Sequence, residues 1–289
     1  MVSFRSLLGS LPLVFSVANA AAIEGRQGGA ATRVSTARSI ENLAVRANGQ
    51  ILATNMNSGS LITVDVATGT QGAIPITGAR ALSGIDEYAP DKFAVIGGKA
   101  IYTLDFSAGA TPTQKLIGTI TEANNLNGLC TFNNKTILVA DAGKGAVYKM
   151  NVDSGAYELA LQDATMAPSG GIPFGIDGIK YRDGVVWYTN IFRNSFHKVA
   201  VDANVKATGA YQTLWTNLMG DDMCFGPNGK LYIATNSKNS VVAVDPAAAG
   251  TPSVVGQVQG STSCDFGQTD ATKNTMYVGA GQGIYAITI

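Results

Sequence analysis

A strand motif that returns six times constrains this chain more than any other feature. Its clearest copy lies in residues 127–155, NGLCTFNNKTILVADAGKGAVYKMNVDSG. An apolar strand opens on Asn127 and a turn follows at Asn133-Asn134-Lys135. A second strand then covers Ile137–Ala140, and a third runs Val147–Val152. Runs of β-branched and aromatic residues punctuated by turn formers are what hairpin-linked strands require. The third strand recurs as LITVDVATG from Leu61, IYTLDFSAG from Ile101, FHKVAVDAN from Phe196, VVAVDPAAAG from Val241 and IYAITI from Ile284. Successive starts at 61, 101, 147, 196, 241 and 284 are 40, 46, 49, 45 and 43 residues apart. A period of that size with four short strands per repeat marks a β-propeller blade. The fold expected is an all-β, six-bladed β-propeller.

The sixth repeat, residues 260–289, stops directly after its third strand. Residues 31–38 are the candidate donor of the missing strand, with Val34–Ala37 as its paired core. Closure by both termini would remove two sheet edges that otherwise seek partners. The blades then run 39–80, 81–122, 123–168, 169–218, 219–259 and 260–289 joined by 31–38. Ahead of them, Met1–Ala20 carries one Arg, an apolar run Leu7–Val17 and the small-residue site Ala18-Asn19-Ala20. That pattern reads as a secretory signal peptide, and the run is too short for a membrane span. Residues 21–30 read as a flexible leader, which leaves 31–289 as one domain. A secreted monomer without a membrane span is expected. Lys plus Arg and Asp plus Glu are each 20, so no basic field exists to attract nucleic acid.

Three cysteines, Cys130, Cys224 and Cys264, occupy the same slot of three inner strands (NGLC, DDMC, TSC). Blades five and six are neighbours, which makes Cys224–Cys264 the candidate disulfide. Three buried thiols acting as small hydrophobes are an equal alternative. Asn134-Lys135-Thr136 is a glycosylation sequon in an expected surface turn.

In a propeller the first residues of the inner strands converge on one mouth of the channel. Aligning the repeats puts Glu41, Ser83, Asn127, Asp177, Asp221 and Ser261 at that level. Carboxylates so close cannot all stay ionised without a cation, a shared proton or water. An all-oxygen set suits Ca²⁺, Mg²⁺ or Mn²⁺ better than zinc. The alternative is that these residues only bind loop amides and channel water at the entry of each strand.

The blades and this ring resemble the SMP-30/gluconolactonase/luciferin-regenerating family over essentially the whole mature chain. That resemblance implies one divalent cation held by a Glu, two Asn and an Asp, with hydrolysis of lactones or esters. Glu41, Asn127 and Asp221 match three of those positions. Asp177 falls where the second Asn is expected, a carboxylate in place of an amide. The family's catalytic Asp is carried over to Asp221 or its neighbour Asp222. The motifs NGLC, GIDGIKY, VWYTN and DDMCFGPNGKLYIATN are also similar to a group of secreted fungal propellers encoded with secondary-metabolite pathways. Some of that group look like hetero-Diels–Alderases that join a tropolone quinone methide to a sesquiterpene alkene. This second resemblance implies a small apolar or terpenoid substrate and no required cofactor. Asp221, Asp222 and Glu41 would then assist chemistry, while Ser83, Asn127, Asp177 and Ser261 would contact substrate.

Other tempting residues carry less. His197, the single histidine, excludes a multi-histidine metal site and sits in the slot held by Tyr102, Tyr148 and Tyr285. It reads as a packing substitute for tyrosine. Trp187 and Tyr188 read as core between blades, and GAGQG near 279–283 as a hairpin turn rather than a phosphate loop. Three classes stay open: a cycloaddition enzyme, a metal-dependent lactonase, and a non-catalytic binding propeller, since fold does not set function.

Overall fold

The computed structural model describes residues 29–248 and 250–289. The leader, Met1–Ala20 and nearly all of 21–30, lies outside the described residues. The described strands form six four-stranded antiparallel sheets, each ordered from an inner strand outward. The inner strands are Ile40–Val45, Ile85–Ala89, Leu126–Asn133, Ile176–Arg182, Met223–Phe225 and Ser261–Phe266. The third strands, from Ser60, Ala100, Ala146, Ser195, Ser240 and Gly283, each begin one residue before the repeat read from sequence. The fold is a six-bladed β-propeller.

The last blade is closed by Thr32–Ser35, which pairs antiparallel with Gly283–Thr288 as the outer strand. The donor strand therefore lies two residues earlier than Val34–Ala37. After Ser35 the chain must turn toward blade one. Its hydroxyl caps that turn by accepting the Ala37 amide at 3.1 Å, and Ser39 takes a left-handed φ of 56°. Val34 and Ala37 still pack against the core between blades six and one.

Six apolar clusters fill the wedges between adjacent blades, and each draws on two neighbouring sheets. Alternation along a strand sends one face to each neighbour, so Trp187 and Tyr188 pack into different wedges. His197 is buried, stacks on Tyr188 at 4.9 Å, and hydrogen-bonds Ser195 and Thr213 through its two ring nitrogens. Burial pushes its pKa down to about 4, as expected of a neutral packing residue. Cys224 and Cys264 form a disulfide between blades five and six with Cα atoms 5.6 Å apart, while Cys130 is free and buried. Asn134 is exposed in the turn between two strands of blade three. No helix among the described residues is long and apolar enough to cross a membrane.

Around the axis the inner strands touch directly. Gly84 N–H donates to Asn127 O at 2.8 Å, Gly178 N–H to Asp221 O at 3.1 Å, and Asp222 N–H to Thr262 O at 2.9 Å. A Cβ at Gly128 would lie 2.2 Å from Asp177 O. Glycine at this slot in blades two, three and four is what allows so close an approach. That approach brings residues from distant repeats together.

Candidate functional site

Three carboxylates meet at the mouth where the inner strands begin. One oxygen each of Glu41, Asp177 and Asp221 lies within 4.8 Å of the others, although the residues come from blades one, four and five. Asn127 donates its amide to Asp177 Oδ1 at 2.7 Å. Asn236 donates to Asp221 Oδ2, also at 2.7 Å. Both aspartates and Asn127 are buried.

These groups are held in unfavourable surroundings for charge. Burial pushes the Glu41 carboxyl up to about 7, helped by the charge of Asp222, and the Asn127 amide opposes the rise. Asp177 is driven well above the usual carboxylate range by burial, then by Asp221 and Glu41. Asp221 is raised by burial and by Glu41, against the Asn236 hydrogen bond. Among the described residues, no lysine or arginine forms an ion pair with the three. The mouth therefore holds protons at neutral pH or would accept a cation.

The donor set fits a hard divalent ion. Oxygens within 4.8 Å of one another are close enough to share a cation bound at about 2.4 Å. With the cluster protonated instead, it presents carboxylic O–H donors where the channel opens. Both capabilities come from the same three oxygens.

Other residues expected here are placed differently. The Ser83 hydroxyl donates to Leu126 O at 3.3 Å, and that of Ser261 donates to Ser240 O at 3.0 Å. Both hydroxyls are thus engaged with backbone between blades. Asp222 does not join the mouth cluster either, because adjacent residues of an extended chain point to opposite sides. Its Oδ2 accepts Asn42 Nδ2 at 2.6 Å and lies 3.6 Å from Lys180 Nζ, while Oδ1 accepts Met223 N–H at 2.8 Å.

Asp222 belongs to a second buried layer. Lys180 stands three residues down its strand from Asp177, about 10 Å at the strand rise. Asp86 and Asp265 take the equivalent slots of blades two and six, so every second blade carries a charge there. Each reaches the next blade: Asp86 accepts Thr131 N–H at 2.7 Å, Asp265 accepts Val45 N–H at 2.8 Å, and Lys180 faces Asp222. Burial disfavours the Lys180 charge, yet Asp222 and Asp86 outweigh it and raise its pKa. Sequence reading missed this layer and Asn236. The signal for Asn236 was present, since LYIATN aligns with QILATN, TILVAD and VVWYTN, whose last residues Asn55, Asp141 and Asn190 end second strands, although in blade five the strand itself stops at Ala234.

The mouth is flanked by a cavity of about 190 Å³ among blades one, two and three, lined by Met56, Leu82, Ser83, Lys99, Asn124, Asn125 and Leu126. Wider clefts lie away from the carboxylates. One of about 560 Å³ sits at the opposite end, near Tyr88 and Gln268, and one of about 340 Å³ lies on the flank by Tyr157 and Val205. Neither gathers carboxylates as the mouth does.

Fold and site together define a six-bladed propeller with a buried acidic mouth. No model of a known protein family matches the sequence. Two relatives share a name. A Phoma sp protein named "Putative hetero-Diels-Alderase" is 26% identical, covering 83% of this chain and 82% of that one. A Sarocladium schorii protein named "Putative hetero-Diels-Alderase asR5" is 21% identical, covering 68% of this chain and 62% of its own length. Among solved structures, a luciferin-regenerating enzyme superposes with a TM-score of 0.72 at 13% identity over 91% of this chain and 96% of that one. Regucalcin from Agrobacterium tumefaciens, a calcium-binding protein, gives 0.70 at 14% over 93% and 96%. The chain thus resembles hetero-Diels–Alderases in sequence and the gluconolactonase-like propellers in fold. The two sequence relatives, both named as enzymes, suggest an enzyme acting on a small molecule.

Proposed function

We propose that this chain is a biosynthetic hetero-Diels–Alderase, joining a tropolone-type quinone methide to a sesquiterpene alkene at the mouth. The similarity to two proteins of that name across most of the chain carries the reading. The chemistry suits the site. The four-atom C=C–C=O unit and the alkene form one C–C and one C–O bond, with no net proton transfer. A carboxylic O–H from the mouth cluster would hydrogen-bond the carbonyl oxygen and increase its electrophilicity. The same acid could protonate a departing hydroxyl when the quinone methide forms by loss of water. Orientation of the two partners would supply the larger share, up to roughly 7–11 kcal/mol in the best intramolecular models.

A second reading is favoured by the 4.8 Å grouping of carboxylate oxygens. Glu41, Asn127, Asp177 and Asp221 would hold Ca²⁺, Mg²⁺ or Mn²⁺ in a lactonase. A bound cation supplies carbonyl polarisation. The residues themselves would orient the lactone. A purely binding propeller is less favoured, because carboxylates and amides rather than large apolar side chains fill the mouth.

One assay separates these readings. Purified protein is offered tropolone-plus-alkene substrates and a lactone panel, with and without EDTA. We expect chelator-resistant cycloaddition, with Asp221→Ala and Glu41→Ala lowering rate and stereoselectivity together, by about 10²–10⁴ at most. Activity abolished by EDTA and restored by a divalent ion would favour the lactonase. Binding without turnover of either panel would favour the third class.

A further inference from the structure

The rim of the mouth is chemically lopsided. Connections entering the inner strands span 76–84, 120–125, 163–175, 217–222 and 258–260, and that into blade four is the longest at thirteen residues. Its base is fastened. Asn190 Nδ2 donates to Thr165 O and Ala167 O at 2.9 and 3.1 Å, and Arg193 Nε donates to Ala167 O at 3.0 Å. Its tip is a small hairpin bridging Ser169 to Ile172 around Gly170 and Gly171, whose φ values of 65° and 78° need glycine. The chain then reaches Phe174, three residues before Asp177.

This well-held loop presents apolar side chains to water. Ile172 is 42% exposed, and Phe192, on the adjoining turn after Asn190, is 38% exposed. Phe192 meets Phe174 edge to face at 5.7 Å. Because Ile176 pairs with Asn190, all three residues crown the end of blade four at which Asp177 enters the mouth. The blade-one-to-three side differs. There the 190 Å³ cavity is lined by the apolar Leu82 and Leu126 and by the polar Lys99, Asn124 and Asn125, and the Lys99 ammonium donates to Thr121 O at 3.2 Å. It is smaller than the ~300–1,000 Å³ of pockets for drug-sized ligands, so it suits a single small ring.

We infer that the two sides divide the two partners of the reaction. The blade-four crown, Ile172, Phe174 and Phe192, takes the hydrocarbon partner. The cavity beside Ser83 takes the oxygen-bearing ring, with Lys99 and the two asparagines facing its oxygens. The carboxylates between them lie where the partners meet. This assignment rests on the cycloaddition reading, but it concerns binding and can be tested without turnover.

Ligand-observed NMR on the full chain, with tropolone and an unreactive sesquiterpene hydrocarbon as separate probes, gives the test. The Ile172→Ser/Phe192→Ser double variant should weaken hydrocarbon binding at least about tenfold, the scale of losing an apolar side-chain contact, and leave tropolone binding unchanged. Lys99→Met should do the reverse. Both changes are at exposed positions, and unchanged melting temperatures would show that the variants fold. Equal effects on both probes, no effect, or no hydrocarbon binding by the parent protein would overturn the division. Selective losses in a protein that catalyses no cycloaddition would uphold the division while removing the reaction assigned above.

Discussion

Two acidic layers share the propeller axis, and they solve the same electrostatic problem differently. At the mouth, Asn127 donates its amide to Asp177 and Asn236 donates to Asp221, and among the described residues no cation pairs with Glu41, Asp177 or Asp221. At the waist, Asp86, Asp222 and Asp265 surround Lys180, and each carboxylate also accepts a backbone N–H. One ammonium and three backbone N–H donors partly offset the three waist carboxylates, although burial still raises Asp86 and Asp265, and these contacts stitch blades two to three, four to five and six to one. The three mouth carboxylates have two side-chain amides and, among the described residues, no paired cation. The waist therefore serves cohesion, and the mouth is left able to bind a proton, a cation or a substrate.

The largest expected effect breaks the waist. Lys180→Met strands three buried carboxylates, and removal of one member of a buried pair costs about 3–5 kcal/mol. Chemical denaturation should show that loss, whereas Asp177→Asn should leave stability equal or higher at pH 8 because it deletes an acid that resists ionising. Lys180→Met within about 1 kcal/mol of the parent would dissolve the contrast between the layers.

The next effect is on pH. Glu41 binds its proton more tightly folded than unfolded, rising from 4.5 to about 7, so stability is greatest below the unfolded value and falls as pH climbs through 7. At about 1.36 kcal/mol per unit, the loss is about 3 kcal/mol. Asp265, also raised to about 7 by burial, acts in the same window from the waist. Glu41→Gln should remove the Glu41 share and leave that of Asp265, which melting curves from pH 4.5 to 8 would resolve.

His197 works in the opposite sense. Its folded pKa of about 4 lies below the ordinary histidine value of 6.5, so stability is lost as pH falls through that interval. His197→Tyr, matching the tyrosines of other blades, should change stability by less than about 1 kcal/mol at pH 7 and gain over the parent at pH 5. A variant less stable at both pH values would show that the Ser195 and Thr213 hydrogen bonds matter more than the packing.

The six blades were readable because each repeat states its strands twice, through β-branched alternation and through turn residues at fixed offsets. The mouth was readable in Glu41, Asn127, Asp177 and Asp221, since residues at one offset of a closed ring must share one level. Ser83 and Ser261 show the limit of that reasoning. Register fixes a Cα, but the hydroxyl turned to the nearest backbone carbonyl of a neighbouring blade. The waist was hidden because Asp86, Lys180 and Asp265 lie three or four residues beyond the ring. A bulge between Ser261 and Ser263 breaks the count in blade six. A lone Lys or Asp in a strand carries no sign of a partner 45 or 220 residues away.

The claim at the centre of the molecule is that the mouth retains a proton at neutral pH. Infrared titration of the carboxylic C=O stretch, comparing the parent with Glu41→Gln in metal-free buffer, measures it directly. We expect a protonated band with a component that titrates with a midpoint near pH 7 and is lost in the variant. Complete ionisation of the mouth carboxylates by pH 5 without added cation would contradict it.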